Sequence, residues 1–165
     1  MKPALLVIDV QNQFFHEDAV TTQSLERALE YINAAITLFR KKNLPVICIQ
    51  HIDEDDHLMP GNEGFDLPET LQILSEDLHI HKTYGNAFNK TPLAEHLHGL
   101  GVDTIILTGF CAEYCVLSTY RGAQDQDFAP ILLRNSLASV APENIPFVER
   151  TNDLISYGAL KKILG

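Results

Sequence analysis

Ala4-Leu5-Leu6-Val7-Ile8 is a run of five apolar residues closed by a carboxylate, Asp9. A continuous apolar run of this length, as opposed to an alternating one, reads as a strand buried on both faces. The strand is predicted over residues 3–9. The pattern returns at Val46-Ile47-Cys48-Ile49 after Pro45, at residues 103–109, and at Pro130-Ile131-Leu132-Leu133-Arg134. His79-Ile80-His81-Lys82 is a shorter strand-like piece, and Leu154-Ile155-Ser156-Tyr157 is a candidate last strand.

Helical patterns separate these runs. Over residues 24–41, Leu25, Leu29, Ile32, Ala35, Ile36 and Phe39 recur on one face, with Ser24 as the predicted cap and Asn43 as a stop signal. Residues 67–76, 91–99, 113–125, 143–151 and 158–164 are the other predicted helices, and residues 52–66 form an acidic loop punctuated by Gly and Pro. Strands alternating with helices imply an α/β protein with a parallel sheet covered on both faces. Ligands bind such sheets at the carboxyl ends of strands, where the strand order reverses. Asp9, Lys82 and the segment Phe110–Cys115 all fall at carboxyl ends.

The length of 165 residues suits one domain with one core. A formal net charge of −10 argues against nucleic acid or an anionic membrane as partner. No apolar stretch approaches the roughly 20 residues a membrane span needs. The N-terminus meets Asp9 too soon for a signal peptide. Three cysteines without a C-x-x-C pair suggest a reducing, cytoplasmic setting and no zinc site of that kind.

A carboxylate, an ammonium and a thiol at one sheet edge are the parts of a cysteine hydrolase. Each also has a plainer reading. Cys115 is a candidate nucleophile because a strand-to-helix turn favours a thiolate, yet a small buried hydrophobe is the common fate of a cysteine. Asp9 is a turn cap or, if poorly solvated, a general base of raised pKa. Lys82 is a snorkelling lysine or the cation that organises the other two. His51 and His57 flank Asp53 with no second shell in view, and His79 and His81 share a strand face, so a metal site is the less favoured reading of these histidines. A phosphotransfer enzyme of the haloacid-dehalogenase kind also has Asp after its first strand, but it needs a second Asp where Gln11 stands.

Three ordered motifs resemble the isochorismatase-like cysteine hydrolases, a family that includes nicotinamidases, N-carbamoylsarcosine amidases and ureidoacrylate-type amidohydrolases. Asp9-Val10-Gln11-Asn12-Gln13-Phe14 resembles its D-x-Q-x-x-F opening, Lys82–Phe88 its K-x-x-x-x-A-F segment, and Gly109–Val116 its nucleophile segment. The resemblance implies a single isochorismatase-like domain over 1–165 with a doubly wound, mostly parallel sheet of six strands. It implies Cys115 as nucleophile, Asp9 as general acid/base and Lys82 as the third member. It further implies an oxyanion hole from the backbone N–H groups of Cys111 and Cys115, a cis Phe110–Cys111 peptide, and Phe14 and Phe88 as substrate-binding walls. The expected reaction is hydrolysis of a C–N bond in a small amide or ureido compound, without cofactor or metal, by a homo-oligomer. The alternative is an isochorismatase-type or non-catalytic, metabolite-binding member. Two departures stand out: Ala112 replaces the family's usual Thr, and Asn135 stands where many members have Asp. The ligand order between His51 and His57 also differs from that of metal-binding nicotinamidases.

Overall fold

The apolar runs become the inner strands of one sheet. The computed structural model describes residues Met1–Gly165. Its strands are β1 (Pro3–Ile8), β2 (Val46–His51), β3 (Leu78–Lys82), β4 (Thr104–Phe110), β5 (Ala129–Ala138) and β6 (Leu154–Ile155). They form a six-stranded sheet in the order β3-β2-β1-β4-β5-β6, and every pairing is parallel. Every residue of β1 and β4 is buried, as an apolar run without polar alternation requires.

Side chains alternate across the strands, so each run feeds two cores. Ala4, Leu6, Ile8, Ile105 and Leu107 pack on one face with α2 (Leu93–Gly99), α3 (Leu117–Asp125) and α4 (Ile145–Arg150). Leu5, Val7 and Ile106 pack on the other with α1 (Ala19–Lys41) and α5 (Tyr157–Ile163). This is the doubly wound, three-layer arrangement expected.

The elements differ from expectation in four places. First, α1 starts five residues earlier than 24, at Ala19, and its cap is Asp18, whose Oδ1 accepts the Thr21 N–H at 2.7 Å. Ser24 lies inside the helix and accepts the Ser139 N–H at 3.1 Å. In its first turn the apolar Ala19 and Val20 are exposed and the buried residue is Thr21, so apolar periodicity misses the start. Second, residues 67–76 form no helix. Their polar backbone groups bond to α1 side chains instead: Asn33 to Thr70 O (2.8 Å) and Gln72 N (2.9 Å), and Arg40 to Gln72 O (2.7 Å). Third, β5 continues past Arg134, through a register shift from Leu107↔Leu132 to Gly109↔Leu137. Asn135, at φ 68°, and exposed Arg134 mark the irregularity. Fourth, the predicted helix 113–125 opens as a π-helical turn over Ala112–Val116 before α3 begins.

The chain leaves β1 for β2 and β3, then crosses back to β4 on the other side of β1. The order therefore reverses between β1 and β4, and their carboxyl ends flank the crevice. At that point Gly109 has φ +113°, and a Cβ there would lie 2.1 Å from the Ile8 carbonyl oxygen. Only glycine permits this approach of β4 to β1.

Candidate active site

Each strand end delivers one polar side chain. Asp9 follows β1 in the left-handed region, at φ 52°, with its N–H donated to Ile49 O at 2.9 Å; Asp tolerates this conformation better than most residues. Lys82 is the last residue of β3, and its register partner His51 is the last of β2. Cys115 sits in the π-helical turn after β4, a feature frequent at functional sites. Cys115 is thus just ahead of α3, not in the first turn of an α-helix as expected.

The side chains converge on one ammonium. Lys82 Nζ lies 2.8 Å from Asp9 Oδ2, 2.9 Å from His51 Nδ1 and 3.3 Å from Cys115 Sγ. A lysine ammonium has three N–H donors and no acceptor, so each donor has one partner. Lys82 and Asp9 are both about 1% exposed. The other carboxylate oxygen, Asp9 Oδ1, is buried with no hydrogen-bond partner.

Burial pushes the Asp9 carboxyl above the usual carboxylate range, although Lys82, Cys115 and His51 pull it back. Burial and then the Lys82 charge hold His51 below the ordinary imidazole value. Cys115 reverses an expectation. The strand-to-helix turn is expected to favour a thiolate, but burial, followed by the Asp9 charge, pushes the thiol up to about 12 against the opposing pull of Lys82. Burial thus works against the charge on both groups, and Lys82 is the neighbour that opposes it.

The Phe110–Cys111 peptide is cis. The Cys111 N–H makes no hydrogen bond, while the Cys111 carbonyl accepts from Tyr114 N (3.0 Å) and Val116 N (3.1 Å). Phe14 packs its ring on Phe110, centroids 4.6 Å apart. Phe88 stacks on Phe128 at 5.8 Å and is only partly buried where it flanks the α2/α3 core.

Comparison with known proteins shows the family. Residues 3–147 match the isochorismatase domain. The chain belongs to the isochorismatase family, whose members are hydrolases that include amidases. It is 31% identical over 140 residues to the uncharacterized isochorismatase family protein YrdC of Bacillus subtilis (strain 168), covering 84% of this chain and 74% of that protein. An isochorismatase-like hydrolase from Alkaliphilus metalliredigens superposes with TM-score 0.91 and 22% identity over the whole of both chains, a likeness of fold. N-carbamoylsarcosine amidase from Thermoplasma acidophilum superposes with TM-score 0.82 and 25% identity, over 94% of this chain and 96% of that one.

Within this isochorismatase-family chain, one set of three side chains has the proximity a metal needs: donor atoms of Asp9, His51 and Cys115 lie within 4.8 Å of one another. They do not fit a metal centre, because the Lys82 ammonium is already hydrogen-bonded to all three and would repel a second cation. His57 is exposed in a turn. His79 bonds to Leu74 O at 3.0 Å, and His81 meets the Phe65 ring. A surface cavity of about 800 Å³ between α1, β5 and α4, lined by Arg27, Tyr31, Asn135 and Glu143, contains none of the three motif residues.

Three residues of the site were not assigned from sequence. From sequence, His51 stands out only as a metal candidate, the less favoured reading there. Gln11, inside the opening motif, is fully buried and bonds to the His51 backbone. Glu113 anchors the turn that carries Cys115, accepting from Ser139 Oγ (2.7 Å), Asn144 Nδ2 (3.0 Å) and Cys111 Sγ (3.3 Å). Partial burial opposes its charge, but the Asn144 and Ser139 hydrogen bonds keep its pKa low. Ala112 is buried in the apolar core, so the turn is held through Glu113 on its neighbouring position.

Proposed function

We propose that this family member hydrolyses a C–N bond of a small amide or ureido compound through a thioester on Cys115. The observation that carries the reading is the shared ammonium: Lys82 touches Asp9 and Cys115 at once, and Asp9 keeps a buried oxygen, Oδ1, free of any partner. The structural likeness to an N-carbamoylsarcosine amidase supports it.

Because burial favours the protonated thiol, proton transfer accompanies attack. Asp9 Oδ1 takes the proton as sulfur bonds to the substrate carbonyl carbon. The oxyanion is held by the Cys111 and Cys115 N–H groups. Asp9 returns the proton to the leaving nitrogen as the C–N bond breaks. Water, deprotonated by Asp9, then attacks the thioester, the C–S bond breaks, and sulfur regains its proton from Asp9. Lys82 keeps Asp9 ionised and oriented, while Phe14 and Phe88 wall the substrate. The same reading takes the protein as a cytoplasmic homo-oligomer. The three unpaired cysteines accord with a reducing compartment.

A panel of primary amides and ureido compounds, assayed for ammonia release, tests the reading. Turnover with a mass adduct on Cys115 in quenched enzyme is expected, and both are lost in Cys115→Ala. Turnover that survives in Cys115→Ala overturns it.

A further inference from the structure

His51 is half-buried beside two charged groups yet belongs to no step of the mechanism. Its Nδ1 lies 2.9 Å from Lys82 Nζ. Lysine has no acceptor, so the ammonium must donate and Nδ1 must be the lone-pair nitrogen. The imidazole is therefore neutral, with its proton on Nε2. The charged or titratable groups around it are Lys82 from β3, Asp9 from the end of β1, Asp53 two residues on and Cys115 from the π-helical turn. Its own backbone is fixed twice, by pairing with Lys82 in the sheet and by Gln11.

Asp9 and Cys115 use two of the three N–H groups of Lys82. Lys82 is about 1% exposed, so water does not supply a partner for the third. An unmade hydrogen bond on a buried cation is costly, and the lysine relieves it by turning away. We propose that His51 is the positioning residue of Lys82: by accepting the third N–H at Nδ1, it fixes the cation between Asp9 and Cys115. The inference rests on the reading of Cys115 and Lys82 given above.

The test uses thiol reactivity, so it needs no substrate. The rate of Cys115 alkylation by iodoacetamide, followed by peptide mass spectrometry from pH 7 to 11, reports the thiolate. Lys82→Met sets the effect of losing the cation. His51→Leu is expected to slow Cys115 alkylation about tenfold at a given pH, a displacement of about one unit in the profile. His51→Asn puts an amide oxygen where Nδ1 stood and is expected to recover most of the rate. His51→Gln puts its oxygen nearer the Nε2 position and is expected not to. Circular dichroism melts accompany each variant, and the Asn/Gln contrast separates positioning from folding. If His51→Leu matches the wild type while Lys82→Met is slow, the His51 inference is overturned and the reading of the site stands. If Lys82→Met also matches the wild type, both are overturned. Equal rescue by Gln refutes the assignment to Nδ1.

Discussion

Gln11 grips the backbone of His51 at two points: Oε1 accepts the His51 N–H at 2.8 Å, and Nε2 donates to the His51 carbonyl at 3.0 Å. The same Nε2 lies 3.2 Å from Phe65 O. The end of β2 is thus tied to the segment that follows β1 and to the end of the acidic loop. Gln11→Leu keeps the volume but strands these buried groups. It is expected to destabilise the fold by about 1–3 kcal/mol and to lower turnover further by loosening His51. Urea titration and an ammonia-release assay measure the two effects. A variant of unchanged stability would mean that the loop satisfies those groups another way.

Asp9→Asn is nearly isosteric but cannot take the thiol proton. A loss of at least about 10² in kcat is expected with the fold intact. A folded variant with near-normal kcat would move the general base elsewhere.

The pH profile has a definite sign. Asp9 must be ionised to accept the proton, and its pKa is raised by burial. Activity should therefore fall as pH drops through that raised value, placing the acid limb above the ordinary carboxylate range of about 4. Lys82 pulls the Asp9 pKa down, so Lys82→Met should move the limb still higher, whatever activity remains. A limb at or below the ordinary aspartate value contradicts the burial argument.

The parallel sheet and its reversal point were legible because β1, β2 and β4 are continuous apolar runs, a pattern tied directly to burial on both faces. Asp9, Lys82 and Cys115 were legible because each stands at or just past the end of such a run. His51 was not, since its role depends on facing Lys82 across a strand pair, and the sequence also offered it as a metal ligand. The start of α1 escaped because its first turn exposes Ala19 and Val20 and buries Thr21, which breaks the apolar pattern. Residues 67–76 had helical spacing, but Asn33 and Arg40, more than thirty residues away, capture the backbone groups a helix would have used. The raised thiol pKa was not legible, because a strand-to-helix turn that favours a thiolate says nothing of burial, the largest influence.

Gly109→Ala should be poorly tolerated. Its φ of +113° disfavours any side chain, and the added Cβ would sit 2.1 Å from Ile8 O, in the backbone of β1. Relief requires β1 and β4 to part where the site is built. Loss of soluble protein, or a markedly lower melting temperature, is expected. A variant that folds and works like the wild type would show that the two strands can separate freely there.

Cys115 should be the first thiol that iodoacetamide labels near neutral pH. Acidity alone would favour Cys111, held at about 11 against about 12 for Cys115. Access opposes that order. Cys48 is fully buried in β2, and its thiol is pushed above the usual range by burial. Cys111 is 5% exposed, and its sulfur is turned toward Glu113 and Ser139. A reagent reaching Cys111 meets a carboxylate that disfavours a second negative charge. Cys115 is only partly buried, and its sulfur has the Lys82 ammonium at 3.3 Å to stabilise the thiolate as it forms. Since the attacking species is the thiolate at an accessible position, the partly exposed sulfur beside a cation is expected to react ahead of the slightly more acidic but enclosed one. Limiting reagent followed by peptide mapping should place the adduct on Cys115, and its extent should track loss of turnover one for one. Labelling of Cys111 first, with turnover retained, would remove Cys115 from the chemistry and the proposed thioester with it.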